Sequence, residues 1–193
     1  LNVSERSDSL TGNAQWIFKD FGTPLRPENP IPYVNQKGLC DIAGKPKDAY
    51  YVYKSYWTTS PKFCYIESHT WTERSGPAQM KHEVNVFSNA NEVELIVNGA
   101  SQGKMKRDIK KFPACGLSWQ VNFVEGRNQI VAVGWENGAI VARDSMEVRY
   151  SFKTNGAAVD VQLATEKLPN GNVLITAIAV DKTGKRCLDY NKR

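Results

Sequence analysis

The sequence predicts a mainly β protein built around a two-sheet sandwich over residues 62–152. Three observations predict it. Short segments of alternating apolar and polar residues recur at 63–68, 83–88, 93–97, 117–123, 129–135 and 140–150. Turn dipeptides that favour hairpins, Asn98-Gly99 and Asn137-Gly138, stand between neighbouring segments. Pairs such as Val84/Val86 and Val131/Val133 put apolar side chains on one strand face. Covering such faces calls for a second sheet about 10 Å away.

Taken in order, the first element is a short aromatic-rich run at 13–18, followed at 22–32 by a stretch with four prolines. Proline lacks the N–H that a helix interior or a central strand needs, so an extended, irregular loop is expected there. Lys45-Pro46-Lys47-Asp48 then opens a helix. Pro46 stands in the first turn, where its missing N–H costs nothing, and Ala49, Val52, Tyr53 and Tyr56 recur at helical spacing to about Trp57, before Pro61. One such run, one loop and one helix cannot enclose a core, so residues 1–61 need cover from elsewhere.

Beyond the sandwich, Lys153-Thr154-Asn155-Gly156 reads as a linker. Two more strands, 159–164 and 173–180, follow on either side of Leu168-Pro169-Asn170-Gly171. A lone hairpin is marginal in water, so residues 157–193 are expected to begin a further β-domain, and both ends of the chain are expected to be cut.

Composition narrows the function classes. The hydrophobic content of 41% is that of a globular protein, and no apolar run approaches the roughly 18 residues of a membrane span. The N-terminus lacks the basic-then-apolar pattern of a signal peptide, and no membrane contact is expected. The net charge is +5, densest at Lys104, Lys106, Arg107, Lys110 and Lys111. No nucleic-acid-binding motif surrounds these residues, so they read as a solvated strand edge and no nucleic-acid partner is expected. Cys40, Cys64, Cys115 and Cys187 form no C-x-x-C pair, and His69 and His82 are not at ligand spacing to them. Free thiols, no metal and no cofactor are expected.

The run from Gly12 to Gly22, Gly-Asn-Ala-Gln-Trp-Ile-Phe-Lys-Asp-Phe-Gly, resembles the end of the barrel in family 2 glycoside hydrolases, the β-galactosidase and β-glucuronidase group. Asn35-Gln36-Lys37-Gly38-Leu39 and Pro46-Lys47-Asp48-Ala49-Tyr50-Tyr51 continue the match in the same order, and Glu92 to Gly99 resembles a hairpin of the sandwich that follows that barrel. The resemblance implies that residues 1–61 carry the eighth strand (14–18), loop and eighth helix (45–57) of a (β/α)8 barrel, and that 62–152 form an immunoglobulin-like β-sandwich. It implies a retaining exo-β-glycosidase, whose partners are a carbohydrate substrate and the remainder of the catalytic barrel.

Retaining glycosidases need two carboxyl groups about 5–5.5 Å apart. In the family these are glutamates on the fourth and seventh barrel strands, which the resemblance places before residue 1. Glu5 stands too near Gly12 to be one of them and reads as the tail of the seventh helix. No catalytic residue is therefore assigned. Trp16 matches the tryptophan that forms an apolar wall under the sugar, a role suited to an indole face; from the residue alone a core tryptophan is the favoured reading, and the motif reverses that preference. Asn35 and Lys37 resemble the pair with which β-glucuronidases hold the sugar carboxylate, and an amide donor and an ammonium two residues apart can both reach one carboxylate. Read alone, the pair is equally a brace for its loop. Arg26 is a weaker candidate of the same kind, while Trp119 and Trp135 read as packing. The alternative to an enzyme segment is a non-catalytic sandwich module for carbohydrate binding or adhesion.

Overall fold

The computed structural model describes all residues except 113–114, 153–154, 188–189 and 191–193, together with the side chain of residue 2. The expected linker therefore lies half outside the described residues, at Lys153 and Thr154. The chain divides into two compact units, Leu1–Ser151 and Phe152–Arg193.

In the first unit, a short helix α1 (Asn2–Arg6) precedes two-residue strands β1 (Phe21–Gly22) and β2 (Val34–Asn35) and helix α2 (Asp48–Trp57). Eight strands follow: β3 (Cys64–Ile66), β4 (Glu73–Gly76), β5 (Lys81–Ser88), β6 (Glu92–Val97), β7 (Ala100–Lys106), β8 (Ser118–Asn122), β9 (Gly126–Glu136) and β10 (Ala139–Phe152). They form a three-stranded sheet, β3-β5-β8, and a five-stranded sheet, β4-β10-β9-β6-β7. Ile66, Val84, Val86 and Val121 of the first sheet and Val93, Leu95, Ile130, Ala132 and Val148 of the second are all buried, as the alternation requires. The sheets meet directly. His82 on β5 stacks on Phe123 and meets Tyr150 of β10 edge-on, with centroids 5.0 and 4.8 Å away.

The hairpin turns take the expected form: Asn98 and Gly99, and Asn137 and Gly138, all have positive φ, which is what a two-residue turn matched to strand twist demands. The basic cluster falls where an edge was expected, because β7 ends its sheet. Lys104 lies 3.6 Å over the Trp135 ring and Arg107 donates to the Ser55 carbonyl at 2.6 Å. Trp119 is core, at 3% exposure.

Helix α2 covers the outer face of the three-stranded sheet. Tyr51 stacks on Tyr65 of β3 with centroids 3.6 Å apart, and Tyr65 in turn faces Phe87 of β5. This second cover explains why the latter half of β5 is buried residue after residue instead of alternating. The helix starts later than the sequence suggested. Lys47 is its extended N-cap, held by a hydrogen bond from its N–H to the Leu39 carbonyl at 2.9 Å, and Pro46 pairs with Cys40. No described helix is long and apolar enough to cross a membrane.

Residues 14–18, expected as a barrel strand, form none here, and the reason lies in their partners. A barrel strand is flanked by two others, whereas the backbone carbonyls of Ile17 and Phe18 accept, at 3.0 and 2.8 Å, the N–H groups of one short segment, Leu39 and Cys40, and no second strand pairs with them among the described residues. All four cysteines are buried and free.

The second unit is a single antiparallel hairpin of β11 (Ala158–Lys167) and β12 (Val173–Asp181). Val159, Val161, Leu163, Val173, Leu174 and Ile175 are exposed on it.

Candidate functional site

The proline-rich stretch is closed at its base by the β1–β2 ladder, in which Phe21 faces Asn35 and Gly22 faces Val34. Thr23 N–H donates to the Tyr33 carbonyl and Tyr33 N–H to that of Arg26, both at 2.8 Å, so the excursion is an ordered loop. At its exit stands the turn that carries Asn35 and Lys37.

Asn35 is half-buried and Lys37 exposed. The Asn35 Oδ1 accepts the Lys37 N–H at 3.1 Å, an Asx turn. Because a backbone N–H can only donate, the acceptor oxygen of Asn35 is used inside the turn and its Nδ2 donor is left over. Among the described residues neither that Nδ2 nor the Lys37 ammonium has a hydrogen-bond or ion-pair partner. Two donors thus project from one turn.

The turn rests on a buried acid. Asp20, its side chain 4% exposed, accepts the Lys47 ammonium at 2.7 Å and 2.8 Å through its two oxygens. The Asp20 Oδ1 also accepts the Gly38 N–H at 2.8 Å, and the Lys47 ammonium donates to the Gln36 carbonyl at 3.0 Å. Gly38 lies against the Lys19–Asp20 backbone: a Cβ there would stand 2.3 Å from Asp20 N and 2.4 Å from the Cys40 carbonyl oxygen. No side chain fits.

Trp16 is 72% exposed in this chain. Its ring meets that of Phe21 edge-on at 6.4 Å, and its peptide bond to Ile17 is cis. Phe21 meets the Trp16 ring and faces Asn35 in the ladder, so Trp16 and the Asn35–Lys37 turn both adjoin the β1–β2 pair. Arg26 pairs instead with Glu28 at 3.7 Å. Glu5 belongs to α1 and accepts the Trp57 indole N–H at 3.0 Å. Sequence reasoning missed Asp20, Gly38 and Lys47. An acid and a base 27 positions apart give no pattern by themselves.

A cleft of about 930 Å³ lies between the start of α2 and β3, lined by Lys45, Asp48, Tyr65, His69 and Asp144 among others. It contains none of the three predicted residues, and Asp48, Tyr65, His69 and Asp144 are already paired within it. Asp48 accepts from the Tyr65 hydroxyl (2.7 Å) and the Ser68 N–H (2.8 Å), and Asp144 from His69 Nε2 and the Ile66 N–H (both 2.7 Å). Burial, helped by the Asp48 hydrogen bond, raises the Tyr65 phenol above its ordinary range, which keeps it a neutral donor. The cleft is a polar joint between helix and sheet. Among the described residues no group of three or more His, Cys, Asp or Glu could hold a metal ion.

A family model described as a domain of unknown function, DUF4982, matches residues 80–142. A putative β-glucuronidase of Formosa agariphila is 58% identical over 190 residues, 98% of this chain and 23% of that protein. A β-galactosidase of Bacteroides ovatus is 28% identical over 194 residues, 98% of this chain and 21% of that one. Among solved structures, a Bacteroides uniformis β-glucuronidase superposes with a TM-score of 0.69 at 44% identity, over 89% of this chain and 22% of its own. One from Parabacteroides merdae gives 0.68 at 40%, over 89% and 21%. The chain spans about a fifth of the length of these relatives.

Proposed function

We propose, since the chain belongs to the β-galactosidase and β-glucuronidase group of family 2 glycoside hydrolases, that it is the C-terminal segment of a retaining exo-β-glycosidase acting on a terminal β-glucuronide. In this reading residues 1–61 end the catalytic barrel, 62–152 form the supporting sandwich, and 157–193 begin a further β-domain. The two catalytic carboxyl groups come from the rest of the barrel, and the chain supplies one wall of the site.

The observation that carries the reading is the pair of unused donors on the Asn35–Lys37 turn. An ammonium and an amide N–H on a fixed turn suit the planar, twofold-accepting carboxylate of a uronic acid, and hydrogen bonds to a charged acceptor are the strong ones. Trp16, exposed beside the same ladder, offers an apolar face to the C–H surface of the sugar ring. The name of the 58% identical relative points the same way, whereas the relative named as a β-galactosidase is more distant, at 28%.

The test is turnover of an aryl β-D-glucuronide and an aryl β-D-galactoside by the whole protein, with the 193-residue chain alone as the second sample. The whole protein is expected to prefer the glucuronide by at least about a hundredfold in kcat/KM, and the chain alone to turn over neither. Hydrolysis of galactosides only would overturn the acidic-sugar reading, and turnover by the chain alone would overturn the division of labour.

A further inference from the structure

We infer that Asp20 and Lys47 are positioning residues that set the specificity of the site by fixing the Asn35–Lys37 turn, an inference that rests on reading that turn as the holder of the sugar carboxylate. The ion pair grips the peptide groups on both sides of Lys37. The Gln36 carbonyl before it accepts from the Lys47 ammonium at 3.0 Å, and the Gly38 N–H after it donates to Asp20 at 2.8 Å. Both anchors are themselves fixed in the backbone. Asp20 N–H donates to the Cys40 carbonyl at 3.0 Å, and Lys47, the N-cap of α2, donates its own N–H to Leu39 at 2.9 Å.

The pair therefore ties the turn to the start of a helix that packs on the sandwich, while the Lys37 side chain itself stays exposed. Fixing the backbone on both sides of Lys37 removes that part of the ordering cost which a mobile turn would add on binding, so the contact strengthens without any new group touching the sugar. Gly38 completes the arrangement. Its lack of a side chain lets the turn lie against Asp20, and an added Cβ at 2.3 Å from that backbone nitrogen would push the turn outward.

The experiment measures kcat/KM of the whole protein for an aryl β-D-glucuronide and an aryl β-D-galactoside in Lys47→Met, Lys47→Arg, Asp20→Asn and Gly38→Ala, each alone and combined with Lys37→Ala. Lys47→Met, Asp20→Asn and Gly38→Ala are expected to lower glucuronide kcat/KM roughly tenfold, chiefly through KM, and to change the galactoside value less than about threefold. Lys47→Arg keeps the charge and is expected to recover much of the loss. In the Lys37→Ala background Lys47→Met should cost the glucuronide little more, because the group it positions is gone. If Lys37→Ala is selective but Lys47→Met lowers both substrates alike, or the two losses multiply, the positioning role is wrong and the pair serves folding alone. If Lys37→Ala is itself without selective effect, the reading of the turn has failed and the inference falls with it. Should Lys47→Met not fold, the comparison of Lys47→Arg with Gly38→Ala decides the same question.

Discussion

The carboxylate of Asp48, the first residue of α2, accepts a 2.7 Å hydrogen bond from the hydroxyl of Tyr65 on β3. Its second oxygen takes the Ser68 N–H at 2.8 Å, and its position also places a negative charge at the positive end of the helix. One side chain thus joins helix to sheet and caps the charge of the helix end. Asp48→Ala leaves two half-buried donors unpaired and is expected to destabilise the first unit by about 1–3 kcal/mol, with Tyr65→Phe costing about 0.5–1.5 kcal/mol. Urea unfolding of the single and double variants checks this. Strict additivity would show that the bond carries no coupling energy.

Several buried groups release their protons late, which gives stability a definite pH dependence. Burial pushes the Cys64 thiol from an ordinary 9.0 up to about 11, and burial with the Asp48 hydrogen bond raises the Tyr65 phenol above its ordinary value of 10.0. In each case the folded state keeps a proton that the unfolded chain has lost, so the contribution is complete below the unfolded value and declines above it. Urea midpoints are expected to be level from pH 7 to about 9 and to fall from there to pH 11. Cys64→Ala should shallow that fall, and a midpoint that holds or rises over the range contradicts the assignment.

How much of this was legible follows from where each residue faces. The strands of the core were readable because one face of each meets the other sheet, as in the alternating burial of β6 and β8. β4 and β7 were not. Glu73–Gly76 and Ala100–Lys106 are edge strands with almost no buried side chain, so no period of two is written into them. At the site, the Asn35–Lys37 turn was readable because its two residues are close in sequence and match a family motif. The acid beneath it was hidden: Asp20 gains its role only when the fold brings Lys47 and Gly38 to it. Residues 14–18 carry a strand-like aromatic run, but pairing is a property of neighbours and not of the run.

The β11–β12 hairpin is a unit of its own with most of its apolar side chains exposed, and an isolated hairpin gains little from burial. In the 193-residue chain its amides are expected to exchange before those of β5, β6 and β9, and ending the chain at Ser151 should leave the thermal midpoint of the first unit within about 2 °C. Hydrogen exchange with mass detection and a melting curve of the shortened chain check both. Equal protection throughout would mean that the hairpin is stabilised by contacts of its own.

Recognition of the sugar carboxylate is assigned to the exposed ammonium of Lys37 and the unpaired Nδ2 of Asn35, and kcat/KM of the whole protein with and without Lys37→Ala tests that assignment. A charge-assisted hydrogen bond is worth about 1.5–3 kcal/mol, so the variant is expected to lose roughly tenfold to more than a hundredfold on an aryl β-D-glucuronide. An aryl β-D-galactoside, which presents no carboxylate, should lose much less, and that difference separates a lost contact from a damaged fold. Unchanged glucuronide turnover in Lys37→Ala, or an equal loss on both sugars, would contradict that assignment and leave Asn35 and Lys37 as a brace for their loop.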